Sequence, residues 1–101
     1  DIGQLFTDTD AQYAGISSLM LLERVRDLAA ARGAQIHHID AVVMAQRPKL
    51  APHIEAMRKV LAETMDIAEG QISIKATTTE RLGFVGREEG MAAQAVALVE
   101  C

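Results

Sequence analysis

The spacing of apolar residues predicts two amphipathic helices. The first is capped by Ser17 or Ser18, ends near Arg32 with Gly33 just beyond it, and carries an apolar face formed by Ile16, Leu19, Leu22, Val25, Leu28 and Ala29. The second has Pro52 near its first position, and its apolar residues recur at Ile54, Met57, Leu61 and Met65. Each helix therefore has one face to bury.

Other segments carry the pattern of strands. β-branched residues are concentrated within residues 35–46, and residues 71–76 alternate between apolar and polar side chains. The run 91–99 is mostly Ala, Val and Leu, and its periodicity permits either a helix or a buried strand. Residues 1–15 keep neither period and are predicted to be a loop. The predicted order is loop, helix, strand, helix, strand, turn, then strand or helix.

The length and composition indicate one small globular domain with an aliphatic core. The chain of 101 residues suffices for one small domain, residues 1–101, and we expect a longer parent because Asp1 is not preceded by a methionine. Half of the residues are hydrophobic but only 3% are aromatic, so the core must be aliphatic, and oligomerisation is a plausible further source of burial.

Charge and cysteine content bear on partners and location. With a net charge of −4 and no basic stripe, a nucleic-acid surface is not expected. No apolar run has the length of a membrane span. The single cysteine, Cys101, makes a reduced, cytoplasmic setting the default.

The densest candidate chemistry lies in residues 75–90. Three threonine hydroxyls and Glu80 are followed by Arg81 and Arg87 among three glycines, with Lys75 just before them. Hydroxyls, free amides and guanidinium groups suit an oxyanion such as phosphate, and a carboxylate could hold a divalent ion there. Thr77 and Glu80 also have the spacing of a capping box. One interpretation is a plain helix cap without further function. The other is that the free amides of the same helix N-terminus bind phosphate, so that the cap and the phosphate site are the same structure.

Residues 46–52 form a second candidate motif, in which two prolines fix the backbone. One interpretation is a plain connector with two solvated cations. The other is a rigid loop whose backbone reads the flat edge of a ligand while Lys49 meets a phosphate. Alone, the motif does not decide between them.

Acidic and histidine residues give weaker signals. Asp1, Asp8 and Asp10 fit either an Asx-type turn or carboxylates that accept hydrogen bonds from ligand hydroxyls, while the glycine and glutamate of a calcium loop are missing. His37 and His38 are adjacent in a predicted strand and should point to opposite faces. We read them and His53 as structural or solvent-facing. Neither a nucleophile elbow nor a Walker-type glycine loop is present in the sequence.

Taken together in their order and spacing, these motifs resemble the 2-C-methyl-D-erythritol 2,4-cyclodiphosphate synthase family. The resemblance covers the whole chain and rests on Asp1-Ile2-Gly3, Leu5-Phe6-Thr7-Asp8-Thr9-Asp10, Ala45-Gln46-Arg47-Pro48-Lys49-Leu50 and the run from Lys75 through Thr77-Thr78-Thr79-Glu80 to Gly90. It implies an α+β fold, a mixed β-sheet packed against helices, as the subunit of a homotrimer with active sites between neighbouring subunits. It also favours a strand for residues 91–99.

The implied reaction belongs to non-mevalonate isoprenoid biosynthesis. The small-molecule substrate, 4-diphosphocytidyl-2-C-methyl-D-erythritol 2-phosphate, cyclises and CMP leaves. Such chemistry needs positioning and charge neutralisation more than a protein nucleophile. Two alternatives remain: a catalytically inactive fragment that binds CDP or phosphate, and a structural oligomer that keeps these loops for packing only.

Site residues follow from the resemblance, position by position. The loop for the methylerythritol phosphate part is matched by Asp1, Ile2, Gly3, Phe6, Thr7, Asp8, Thr9 and Asp10. The cytidine loop is matched by Ala45, Gln46, Arg47, Pro48, Lys49, Leu50 and Ala51. The diphosphate turn is matched by Thr77, Thr78 and Thr79, with Thr78 as the stabiliser of the transition state, and further substrate contacts by Phe84 and Arg87. Thr7 stands where the family usually has proline, so we expect a less restricted loop.

The resemblance also implies two metals. Glu80 matches the ligand of a Mg²⁺ or Mn²⁺ ion that bridges the diphosphate. The family's catalytic Zn²⁺ is held by an Asp-x-His pair and a later histidine, none of which this chain contains. We therefore expect the zinc ligands in a preceding segment.

Overall fold

Three strands and three helices make up the described part of the chain. The computed structural model describes residues 17–101, so the loop predicted for residues 1–15 lies outside the described residues. The elements are α1 (Ser18–Ala31), β1 (Gln35–Met44), α2 (Ile54–Met65), β2 (Ile72–Thr77), α3 (Gly83–Gly86) and β3 (Ala92–Glu100). Two 3₁₀ turns, Ala51–His53 and Glu69–Gln71, precede α2 and β2. From the first helix onward the predicted order is confirmed, and the last apolar run is a strand.

The sheet is mixed, as predicted, with β1 in the centre. β2 runs parallel to β1, with Ile39 opposite Ile72 and Met44 opposite Thr77, and β3 runs antiparallel on the other side. A register shift beside His37 marks a bulge in the pairing with β3. Because parallel neighbours end at the same edge, the loops that follow β1 and β2 emerge side by side.

The ends of α1 are set by local sequence, as predicted. The Ser17 hydroxyl accepts a hydrogen bond from the Leu19 amide at 3.2 Å. At the other end Gly33 adopts a φ of 76°, and the amides of Gly33 and Ala34 bond to the carbonyls of Ala30 and Ala29. This pairing is a Schellman motif, which turns the chain directly into β1.

The second helix is tied to the sheet by a polar side chain. Pro52 lies in the 3₁₀ turn that leads into α2 rather than within the helix itself. From α2 the Arg58 guanidinium donates to the carbonyls of Ile72 and Glu69, both at 2.9 Å. These bonds fix α2 over the start of β2.

The described core is small and aliphatic, as the composition indicates. Its buried members are Ala45, Ala62, Met65, Ile72 and Val85, of which Ile72 is 1% exposed. Within residues 17–101, no helix is both long enough and apolar enough to cross a bilayer.

We expect Ile72→Ala to lower the free energy of unfolding by about 3 kcal/mol, because truncating a fully buried side chain loses apolar burial and leaves a cavity. Urea unfolding followed by circular dichroism measures the change. Val60→Ala is the control, since Val60 is 42% exposed on α2 and should change stability by less than about 0.5 kcal/mol. Equal effects of the two substitutions would contradict the assignment of Ile72 to the core.

Candidate functional site

The two motifs singled out in the sequence meet at one edge of the sheet. A cleft of about 470 Å³ opens where β1 and β2 end. Its lining consists of Ala45, Gln46, Pro48, Lys49, Leu50, Ala51, Ala76, Thr77 and Thr78. The structure thus brings six of the seven residues predicted for the cytidine loop together with two of the three predicted threonines.

The hydrogen bonding between β1 and β2 continues one residue beyond the end of β1, and this extra bond holds the cleft. The Ala45 amide bonds to the Thr77 carbonyl at 3.0 Å, and Ala45 is buried. The next residues turn away from the sheet and form the wall of the cleft. Lys49 is exposed in that wall, where its ammonium group can reach an anion at the mouth.

The predicted capping box is wrong. No helix begins at Thr77, and its hydroxyl donates to the Thr78 carbonyl instead of accepting from an amide. The physical reason is the backbone: Glu80 and Arg81 have φ values of 53° and 66°, in the left-handed region, which cannot continue as a right-handed helix. The next helix, α3, starts only at Gly83.

Residues 77–82 form a tight turn stabilised by threonine side chains. The Thr79 carbonyl accepts from the Leu82 amide at 3.0 Å, and the Thr79 hydroxyl donates to the Leu82 carbonyl at 2.7 Å. The Thr78 hydroxyl accepts from the Glu80 amide at 3.2 Å. A threonine that accepts in this way still has its own proton to donate, so Thr78 can serve a ligand at the edge of the cleft.

Glu80 is the candidate metal ligand at the apex of this turn. Its side chain is exposed, and within residues 17–101 it forms no ion pair. A hard carboxylate oxygen suits Mg²⁺ or Mn²⁺, which commonly takes one or two carboxylates together with phosphate oxygens and water. The donor chemistry therefore fits such an ion.

Zinc is a different case. Among residues 17–101, no three His, Cys, Asp or Glu side chains come together in a group that could hold a metal ion. His37 contacts Glu100 at 2.7 Å, and His38 contacts the Ser73 hydroxyl at 3.2 Å. The described residues do not fit a zinc centre.

Two side-chain contacts connect the loops on either side of the cleft. The Gln46 Oε1 atom accepts from the Arg81 amide at 3.2 Å, and the Arg47 Nε atom lies 3.2 Å from the Glu88 Oε1 atom. Arg47 is the one residue of its loop that does not line the cleft. Sequence reasoning missed the roles of Arg81 and Glu88 as partners, because side-chain spacing does not show which loops become neighbours.

The segment after the turn is fixed in place by Val85 and Gly86. Val85 is buried, and Gly86 lies so close to Arg81 that a β-carbon there would overlap the Arg81 backbone. Phe84 is half exposed, and its ring lies beside Gly90. Arg87 forms an ion pair with Glu89 at 2.9 Å, so a ligand phosphate would compete with that carboxylate.

Other predicted residues lie elsewhere. Lys75 borders a separate depression of about 280 Å³, shared with Asp40 and Gln94, and not the diphosphate turn. The following candidate residues are outside the described part of the chain: Asp1, Ile2, Gly3, Phe6, Thr7, Asp8, Thr9 and Asp10. Their assignment to the methylerythritol phosphate part stays a prediction.

Comparison with known proteins gives a consistent picture. The model of the YgbB family matches residues 1–100. Curated relatives called 2-C-methyl-D-erythritol 2,4-cyclodiphosphate synthase include one from Agathobacter rectalis, 60% identical over 96 residues, and one from Thioalkalivibrio sulfidiphilus, 55% identical over 100 residues. The matches cover 95% and 99% of this chain, which spans only 54% and 62% of these relatives.

Solved structures agree in fold. The bifunctional IspDF from Campylobacter jejuni superposes with a TM-score of 0.91 at 43% identity, covering 98% of this chain and 27% of that one. A CDP-bound form of 2C-methyl-D-erythritol-2,4-cyclodiphosphate synthase superposes with a TM-score of 0.83 at 32% identity, covering 99% of this chain and 64% of that one.

Proposed function

The chain belongs to the YgbB family, and we propose that the full-length protein that carries it converts 4-diphosphocytidyl-2-C-methyl-D-erythritol 2-phosphate into 2-C-methyl-D-erythritol 2,4-cyclodiphosphate and CMP, a step of non-mevalonate isoprenoid biosynthesis. The observation that carries the proposal is that the loops after β1 and β2 line the same cleft. One loop has the rigid, mostly apolar wall that a base requires. The other has the hydroxyls that a diphosphate requires.

Recognition of the nucleotide rests on residues 45–51. Ala45, Pro48 and Leu50 offer an apolar wall for the flat face of cytosine, while backbone groups of the same loop can bond to its edge. Lys49 supplies a positive charge at the mouth, which suits the phosphate attached to the ribose. Together these groups would place the diphosphate over Thr77 and Thr78.

In the reaction an oxygen of the 2-phosphate forms a bond to the β-phosphorus of the diphosphate. The bond from that phosphorus to the oxygen of the CMP phosphate breaks, and CMP departs with the electron pair. The Thr78 hydroxyl would donate to a phosphoryl oxygen as charge develops there, which requires only that the group is already oriented. Holding both phosphates in line accounts for much of the remaining acceleration.

Glu80 would hold a Mg²⁺ or Mn²⁺ ion, which when bound neutralises charge on the diphosphate oxygens. The carboxylate has no competing ion pair among residues 17–101, so it is available for that role. The family resemblance also implies Zn²⁺. Since the described residues do not fit a zinc centre, we route no step through it and propose that its ligands lie outside them.

We further propose a cytoplasmic homotrimer with active sites between subunits. The support is β3, which is exposed along nearly its whole length, with Val96 72% and Leu98 64% exposed. A strand this apolar is usually covered by another surface. Neither nucleic acid nor membrane forms part of the proposal.

The assay is release of CMP from the cytidine-linked substrate by the full-length protein, with zinc and magnesium present, followed by chromatography. We expect stoichiometric formation of CMP and the cyclic diphosphate. If the folded protein released no CMP, the proposed reaction would be wrong.

A second candidate function is a CDP-binding module without catalysis. It is favoured by one observation: the cleft, Lys49 and Glu80 are all present in residues 17–101, whereas a three-ligand metal group is not. Calorimetry of CDP on the 101-residue chain tests it, with circular dichroism to verify folding. Binding heat without CMP release would support the module, and a folded chain that gives no heat would remove it.

A further inference from the structure

The turn at Glu80 holds two adjacent non-glycine residues in an unfavourable backbone conformation. Glu80 and Arg81 both have positive φ, at 53° and 66°. Side chains with a β-carbon rarely adopt this region, and such residues persist only where the surroundings enforce them. The strained backbone lies at the candidate metal ligand, so the contacts that enforce it determine how that ligand is placed.

Most of the bonds that enforce the turn are local. Thr78 bonds to Glu80, and Thr79 bonds twice to Leu82. Two bonds are long-range. The Ala45 amide bonds to the Thr77 carbonyl at the start of the turn, and the Oε1 atom of Gln46, 35 positions before Arg81, accepts from the Arg81 amide at 3.2 Å. Of these two, the Gln46 bond is the one that reaches a residue with positive φ. Gln46 is partly buried and lines the cleft. It therefore belongs to the loop proposed to bind the base and also contacts the strained turn.

The neighbouring ion pair between Arg47 and Glu88 adds little to this connection. Its two side chains are 80% and 46% exposed, and exposed ion pairs contribute little net stabilisation. The Gln46 bond differs from this ion pair because its donor is the Arg81 amide, so it acts directly on the backbone of the turn.

We propose that Gln46 is a positioning residue that acts through the Arg81 amide. By holding the turn, it fixes the direction of the Glu80 carboxylate and makes binding of the divalent ion depend on the state of the nucleotide loop. The inference rests on the proposed function, because it takes a nucleoside diphosphate as the ligand and Glu80 as the site of the ion. It gives Gln46 a role distinct from touching the base.

A direct contact to the base and a positioning role predict different binding data. If Gln46 only touches the base, its loss weakens CMP and CDP equally, with or without Mg²⁺. If it positions Glu80, its loss mainly reduces the factor by which Mg²⁺ tightens CDP, because CDP has the β-phosphate, absent from CMP, that would bind an ion held by Glu80.

The experiment is calorimetry of CMP and CDP on the full-length protein, each with and without Mg²⁺. We expect Gln46→Leu, which removes the acceptor, to reduce the Mg²⁺-dependent tightening of CDP about fivefold, the factor that one ordinary hydrogen bond represents. CMP affinity should change less than about twofold, since backbone groups of the loop remain. Gln46→Glu keeps an acceptor at Oε1 and should retain most of the tightening.

Gln71→Leu is the matched control. The Gln71 side chain also bonds to backbone groups, the Ala68 amide and the carbonyls of Ile36 and His37, but at the opposite end of β1. Its loss should lower thermal stability and leave the Mg²⁺ effect intact. A Gln71→Leu protein that lost the Mg²⁺ effect equally would overturn the positioning role.

The outcomes separate the two levels of inference. If the wild-type protein binds no CDP, the proposed function fails. If it binds CDP with a Mg²⁺ effect that Gln46→Leu leaves unchanged, or if CMP and CDP weaken equally, only the positioning role fails. A selective loss in Gln46→Leu that Gln46→Glu restores supports it.

Discussion

Replacing Glu80 with glutamine should lower the rate of CMP release by the full-length protein about a hundredfold, because a bound cation contributes several kcal/mol to stabilising phosphoryl charge. Glutamine keeps the shape of the side chain and removes the charge that a hard cation requires. The fold should be unaffected, since Glu80 is exposed and has no ion pair within residues 17–101. The rate is measured against Mg²⁺ concentration, and half-saturation should move to higher Mg²⁺.

Glu63→Gln is the control for this substitution. Glu63 is an exposed carboxylate on α2, away from the cleft, and its loss should leave the rate and its Mg²⁺ dependence unchanged. A Glu80→Gln protein with normal turnover at low Mg²⁺ would show that the divalent ion is held elsewhere.

Much of the fold could be predicted because local signals set the ends of the elements. Ser17 and Gly33 bound α1 through bonds to their own neighbours in sequence, and such short-range patterns are visible in the chain. The last run could not be assigned from its residues alone. Alanine and valine at positions 92–99 suit either state, and pairing along β1, interrupted only by the bulge beside His37, decides for a strand.

The meeting of the two candidate motifs has a similar explanation. Residues 45–51 follow β1 and residues 77–79 lie at the end of β2, so their motifs could be recognised, and their meeting at one edge follows from parallel pairing. The capping box failed because spacing alone does not show that Glu80 and Arg81 take positive φ. That conformation is held by local threonine bonds, by the side chain of Gln46 from a distant part of the chain, and by the close approach of Gly86, and residue spacing shows none of these.

The close contact at Gly86 leads to the second large expected effect, that of Gly86→Ala. An added β-carbon would overlap the Arg81 Cα and carbonyl carbon, which are backbone atoms and cannot rotate away. The turn must therefore shift, at a cost of about 1–3 kcal/mol in unfolding free energy, and Glu80 and Thr78 move with it. We expect the Mg²⁺-dependent affinity for CDP to fall by more than about tenfold, measured by calorimetry, because misplacement by an ångström suffices for such losses.

Gly70→Ala is the matched control: a β-carbon at Gly70 meets no atom within 4 Å, so binding and stability should stay close to wild type. If Gly86→Ala bound CDP and Mg²⁺ normally, the turn would be free to move, and the fixed geometry argued for Glu80 would be wrong.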